Sequence, residues 1–168
     1  IVGIHIADVS NFVSKGDPLD QEAFKRCETI YLPNISVMMF PERLATDLAS
    51  LIQGFPRPAI TIEAEFNNEN ELSGHRIRRS LIKVSDRLSY DEADRALRAG
   101  HSALNKLHKI AIHLKEIRKN MGGQTTQRPE LKVRVHDNNI SVRQIKTNSP
   151  TRHLVSEMMI LANRIAAE

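Results

Sequence analysis

The chain has 168 residues, a length that suits one domain with one core. Its 40% hydrophobic and 26% charged residues exclude a disordered chain, and no apolar run approaches the roughly 20 residues that a membrane-spanning helix needs. The formal net charge of +4 permits a polyanionic partner without establishing one, and with 4% aromatic residues and no Trp any base stacking falls to a few Tyr and Phe.

Ile1 to Asp8 reads as a short buried strand, nearly continuous in apolar residues. Gly16-Asp17-Pro18 makes a turn, and Asp20 is the expected N-cap of a short helix through Cys27. Cys27 is the only cysteine, which rules out an internal disulfide or a thiolate metal cluster and fits a reduced, cytoplasmic location. Tyr31-Leu32-Pro33-Asn34 ends that element, and Pro41-Glu42-Arg43-Leu44 starts another helix. Residues 59–66 alternate as a half-buried strand, with Ile60, Ile62, Ala64 and Phe66 on one face and Thr61, Glu63 and Glu65 on the other. That second face reads as solvated rather than as a pair of metal-ligating carboxylates. Asn67-Asn68-Glu69-Asn70 turns the chain into a partner strand running from Glu71 towards Val84.

Ser89-Tyr90-Asp91-Glu92 has the capping-box spacing and starts a helix to about Arg98. A longer amphipathic helix follows, with Leu104, Leu107, Ala111, Leu114 and Ile117 on one face and Gly122-Gly123 as its stop. Leu131, Val133 and Val135 alternate with Lys132, Arg134 and His136, Asp137-Asn138-Asn139 turns, and Ile140 and Val142 begin the return strand. Ser149-Pro150 caps a final helix whose apolar face carries Leu154, Met158, Leu161 and Ile165. The expected fold is one mixed α/β (α+β) unit: a mostly antiparallel sheet with hairpins, flanked by helices. The chain opens inside a strand and closes inside a helix, so residues 1–168 are expected to be a single partial domain, cut at both ends.

Three segments, in order, resemble the ribonuclease II/R (RNB) family. The first is Gly3-Ile4-His5-Ile6-Ala7-Asp8-Val9-Ser10-Asn11-Phe12-Val13, followed by Leu19-Asp20 and Tyr31-Leu32-Pro33. The second is Arg87-Leu88-Ser89-Tyr90-Asp91-Glu92; the third runs from Leu154-Val155-Ser156-Glu157 to Leu161-Ala162-Asn163. The resemblance implies part of a 3′→5′ exoribonuclease that hydrolyses single-stranded RNA to nucleoside 5′-monophosphates with two Mg²⁺ ions. It further implies a cytoplasmic enzyme, monomeric when complete. The family's metal-ligating aspartates lie just before the strand that opens this chain, and its arginine-bearing motif lies after the last helix. No catalytic residue and no metal ligand is therefore expected within the chain, which alone should be inactive. The remaining acidic groupings, Asp17 with Asp20 and Asp91-Glu92 with Asp94, belong to a turn and a helix start. His5 and Asp8, three apart on a strand, face opposite ways. The alternative is a non-catalytic RNA-binding or scaffold protein on the same fold.

By the same resemblance Tyr31 occupies the place of an aromatic that clamps RNA by stacking, against the alternative of an ordinary tyrosine with a buried ring. Tyr90 and Glu157 match positions that read the ribose 2′-hydroxyl, against a first helical residue and a solvated helix residue. The residue before Glu157 is Ser156 where many members have a second Glu. The family's second stacking ring aligns near Val133, so the clamp is one-sided unless Phe12 or Phe40 substitutes. Lys132, Arg134 and Arg143 on one hairpin, and Arg76 and Arg78 on another, are candidate phosphate contacts or solvated faces. His101 and His108 read as surface histidines.

Overall fold

Capping residues and apolar spacing divide the chain, in the computed structural model, into β1 (Val2–Ala7), α1 (Pro18–Arg26), β2 (Ile30–Tyr31), β3 (Ser36–Val37), a π-helical turn (Leu44–Leu48), β4 (Pro56–Phe66), β5 (Leu72–Lys83), α2 (Tyr90–Arg98), α3 (Ser102–Asn120), β6 (Glu130–His136), β7 (Asn139–Ile145) and α4 (Pro150–Ala167). The structure describes residues 1–124, 130–136, 139–145 and 149–168, without the side chains of Glu130, Lys132, Arg134, His136 and Ile145. The expected turn at Asp137-Asn138 lies outside them. β1, β4 and β5 form an antiparallel sheet with β4 in the middle, while β2–β3 and β6–β7 are separate antiparallel hairpins. The mixed architecture of helices and antiparallel sheets is the one expected.

Because β4 is central, its polar face does not meet water as expected. Thr61 is only 2% exposed, with its hydroxyl bonded to His5 Nδ1 at 2.8 Å and to the Ser80 hydroxyl. Glu63 lies in register with Arg76 and diagonal to Arg78, and both guanidinium groups clasp its carboxylate. Only Glu65 of the three is exposed. The edge strand β1 is half-buried rather than buried: Val2 and Ile4 pack inwards, whereas Ile6 is exposed.

The apolar faces of α3 and α4 close over the sheet. Leu161, Ala162 and Ile165 of α4 pack on Ile62 and Ala64 of β4, and Leu154 and Met158 pack on Ile110 and Ala111 of α3. A separate cluster of Val13, Leu44 and Ala49 underlies the N-terminal segment. α2 carries the expected capping box, with Ser89 N–H donating to Glu92 at 2.8 Å and Glu92 N–H donating back to Ser89 Oγ at 3.3 Å. Ser149 caps α4 as expected, with Pro150 in its first turn.

Two local expectations are corrected. The cap of α1 is Asp17, whose carboxylate accepts from Asp20 N–H at 2.8 Å, because Pro18 suits the first helical position and starts the helix earlier. The helix expected after Pro41 is realised as the π-helical turn. α3 does end at the glycines: Gly122 has φ +89°, and a Cβ on Gly123 would stand 2.7 Å from the Arg118 carbonyl.

Candidate functional site

Glu157 projects from α4 towards the last turn of α3, where it is 5% exposed. A carboxylate this deep requires a partner, since burial of an unpaired charge is strongly unfavourable. Arg118 supplies it, donating from Nη2 to Oε1 at 2.5 Å and from Nε to Oε2 at 3.4 Å. The hydrogen bond to Glu157 raises the Arg118 guanidinium above its ordinary pKa. Glu157 is thus a buried, paired carboxylate rather than a solvated helix residue. The pair borders a cavity of about 270 Å³ whose walls include Leu114, Ile117, Ile160 and Arg164.

Tyr90 opens α2 and is partly exposed, with the Arg152 guanidinium 4.2 Å from its ring centroid. α2 is fastened to α4 beside it. Thr151 donates its hydroxyl to Asp94 at 2.7 Å and sits within 3.3 Å of the Tyr90 carbonyl. Burial pushes the Asp94 carboxyl up, but the Thr151 bonds outweigh it and leave the group below its ordinary value. Arg152 and Glu157 are separated by roughly 8 Å along the axis of α4 at 1.5 Å per residue. Among the described residues no hydrogen bond joins Tyr90 to Glu157, and Tyr90, beside Arg152, meets α4 at a different level from Glu157.

Tyr31 stands apart from both. It lies opposite Ser36 in the β2–β3 hairpin and is 80% exposed, which excludes the buried-ring alternative. Beside the hairpin runs a groove of about 720 Å³ lined by Ile35, Val37, Met39 and Phe40, with the Glu22–Arg26 ion pair on its other wall. Val133 faces Val142 in the β6–β7 hairpin and offers no ring. Phe12 and Phe40 are both half-buried against the Val13, Leu44 and Ala49 cluster, and Phe40 also lines the groove beside the hairpin. The exposed Phe24 of α1, 82% accessible, escaped the sequence reading because nothing in its spacing marks it. Arg118 and Arg152 escaped for a different reason, that their partners are remote in sequence or defined only by packing.

The other candidates divide. Arg76 and Arg78 clasp Glu63 and so do not form a free basic face. Arg143 is exposed, while the Lys132 and Arg134 side chains lie outside the described residues. His101 caps α3, its Nδ1 accepting from Leu104 N–H at 3.4 Å.

Acidic groups are similarly engaged. Asp8 accepts from the Ser10 hydroxyl at 2.5 Å and faces Arg79 at 3.7 Å, while His5 bonds Thr61. Among the described residues no group of three or more His, Cys, Asp or Glu is placed to hold a metal ion. With Asp8, Glu63, Asp94 and Glu157 each tied to protein partners, these residues do not fit a Mg²⁺ cage. No helix of the described residues is long and apolar enough to cross a membrane.

The antiparallel sheet is backed by α3 and α4, and the β2–β3 hairpin carries the exposed Tyr31. The structure of Mycoplasma genitalium RNase R in complex with double-stranded RNA matches this fold at a TM-score of 0.88 over 96% of this chain and 30% of that one, at 22% identity. Yeast Ssd1, a pseudonuclease, matches at a TM-score of 0.68 over 93% of this chain and 20% of that one, at 19% identity. The chain belongs to the RNB family, whose RNB domain matches residues 1–168. Ribonuclease R of Chlamydia trachomatis is 32% identical over 173 residues, covering 99% of this chain and 25% of the relative. The chain therefore spans about a quarter of the length of the curated relatives it matches.

Proposed function

We propose that the chain is the central part of the catalytic domain of a 3′→5′ exoribonuclease that hydrolyses single-stranded RNA to nucleoside 5′-monophosphates. The observation that carries this reading is the match of the RNB domain along the whole of residues 1–168. Relatives over the same span are ribonucleases by name. In this reading the reaction uses Mg²⁺ held by acidic residues outside residues 1–168, and the ions supply the activated water and leaving-group stabilisation. The residues of this chain bind and sort the substrate. Tyr31 stacks on a base near the 3′ end, and Tyr90 and Glu157 accept the ribose 2′-hydroxyl that separates RNA from DNA. The enzyme acts in the cytoplasm as a monomer.

The likeness to the pseudonuclease Ssd1 favours a second reading, an RNA-binding protein without catalysis on the same fold. One experiment separates the two. The full-length protein that carries this chain is incubated with 5′-labelled single-stranded RNA and Mg²⁺, with a chelator control. Progressive 3′ shortening with release of 5′-mononucleotides is the expected result. RNA binding without metal-dependent shortening would establish the second reading instead.

A further inference from the structure

Glu157 is both a candidate acceptor for a substrate hydroxyl and a buried, paired carboxylate. A carboxylate that reads a sugar hydroxyl has to be ionised, fixed in direction and partly free, yet this one is 5% exposed on a helix packed against another. A carboxylate accepts along roughly four lone-pair directions, and the two bonds from Arg118 occupy only two of them. The pair borders the cavity between α3 and α4, so the free directions have a space to serve. Apart from Arg164, its other walls are apolar, among them Leu114, Ile117 and Leu161. A hydrogen bond made there meets less competition from water than one at the surface.

The charge balance of the cavity agrees with a sugar-phosphate. Arg118 and Arg164 both line it against the single carboxylate of Glu157. Arg164 is half exposed and meets Glu168 only at 3.9 Å, a weak and screened pairing. A neutral hydroxyl next to an anionic phosphate matches one acceptor and two cations. A deoxyribose would leave the acceptor unpaired.

We propose that Arg118 is a positioning residue: its two-pronged bond to Glu157 aims the carboxylate's remaining acceptor directions into the α3–α4 cavity, where they take the ribose 2′-hydroxyl. This rests on Glu157 being a 2′-hydroxyl reader. The two reach each other only in the folded chain, across 39 residues of sequence. Lysine would keep the charge of Arg118 but not its planar pair of donors.

The test uses the full-length protein in chelator, so that binding is read without cleavage. Affinities are measured for a single-stranded RNA and for the same strand carrying 2′-deoxyribose through its 3′-terminal nucleotides. E157Q is expected to lower the preference for RNA by roughly ten- to a hundredfold, the worth of a hydrogen bond to a charged group. R118K is expected to lower it at least severalfold, R118M as far as E157Q, and E157Q/R118M no further than E157Q alone. A merely structural arginine would weaken both strands in parallel. R118M leaves a buried carboxylate without its counter-charge and can fail to fold, so R118K, checked by circular dichroism, carries the decision. An R118K preference equal to that of the parent, with E157Q lowered, overturns the positioning role and leaves the reader standing. An unchanged preference in E157Q overturns the reader itself, and the positioning role with it.

Discussion

Thr151 gives Asp94 two hydrogen bonds, its amide at 3.1 Å and its hydroxyl at 2.7 Å, and so joins the first turn of α4 to the middle of α2. Thr151 is 3% exposed, and its hydroxyl also lies 3.3 Å from the Tyr90 carbonyl. Replacing it with valine keeps the volume and removes the donor. Thr151→Val should cost about 1–3 kcal/mol of stability, the penalty for leaving buried polar groups unpaired. Chemical denaturation of the two proteins measures this, and a loss below half of that range would mean that water replaces the hydroxyl.

Glu63 should make stability depend on acid. The bonds from Arg78 and then Arg76 hold its carboxyl below the ordinary value of 4.5. A depressed carboxyl contributes stability that is fully present above the unfolded value and is lost as pH falls through the folded one. Glu63→Gln should therefore be less stable than the parent at neutral pH, and the gap should close on acidification below 4.5. Thermal unfolding across that range checks it, and a gap independent of pH would contradict the assignment.

The 168-residue chain by itself should show no ribonuclease activity. Its described acidic residues provide no metal cage, and a two-metal hydrolysis has no route without one. Purified chain is incubated with labelled single-stranded RNA and Mg²⁺. Metal-dependent release of mononucleotides that persists through repurification would refute the prediction.

In the full-length protein, Tyr31→Ala should lengthen the final oligonucleotide while leaving turnover of long substrates nearly intact. The exposed ring offers a stacking surface worth roughly 1–3 kcal/mol per base, which matters most once contacts further along the strand have been lost. End-product lengths on a gel give the answer, with long-substrate turnover as control. No change in length, with the fold intact, would make Tyr31 a structural residue.

Tyr90→Phe should narrow the preference for RNA over DNA without loss of stability. The phenol is partly exposed, and Arg152 packs on the ring face, which the substitution preserves. Parallel cleavage assays on matched RNA and DNA strands report the ratio. Full rejection of DNA by the variant would remove Tyr90 from recognition.

The amino-acid sequence alone determined the local features. The Ser89–Glu92 box, the Ser149-Pro150 start, the β4–β5 hairpin and the apolar stripes of α3 and α4 each depend on residues a few positions apart, where spacing acts directly on backbone geometry. The family resemblance was legible for the same reason, being carried by short contiguous segments. Tertiary structure alone decided which polar groups are covered. Thr61 and Glu63 lost their solvent because β1 and β5 flank β4 on both sides, and one strand's alternation says nothing about its neighbours. Glu157 became a buried, paired carboxylate because α3 brings Arg118 to it, and the environment of a charge depends on which elements meet rather than on the residues beside it in the chain.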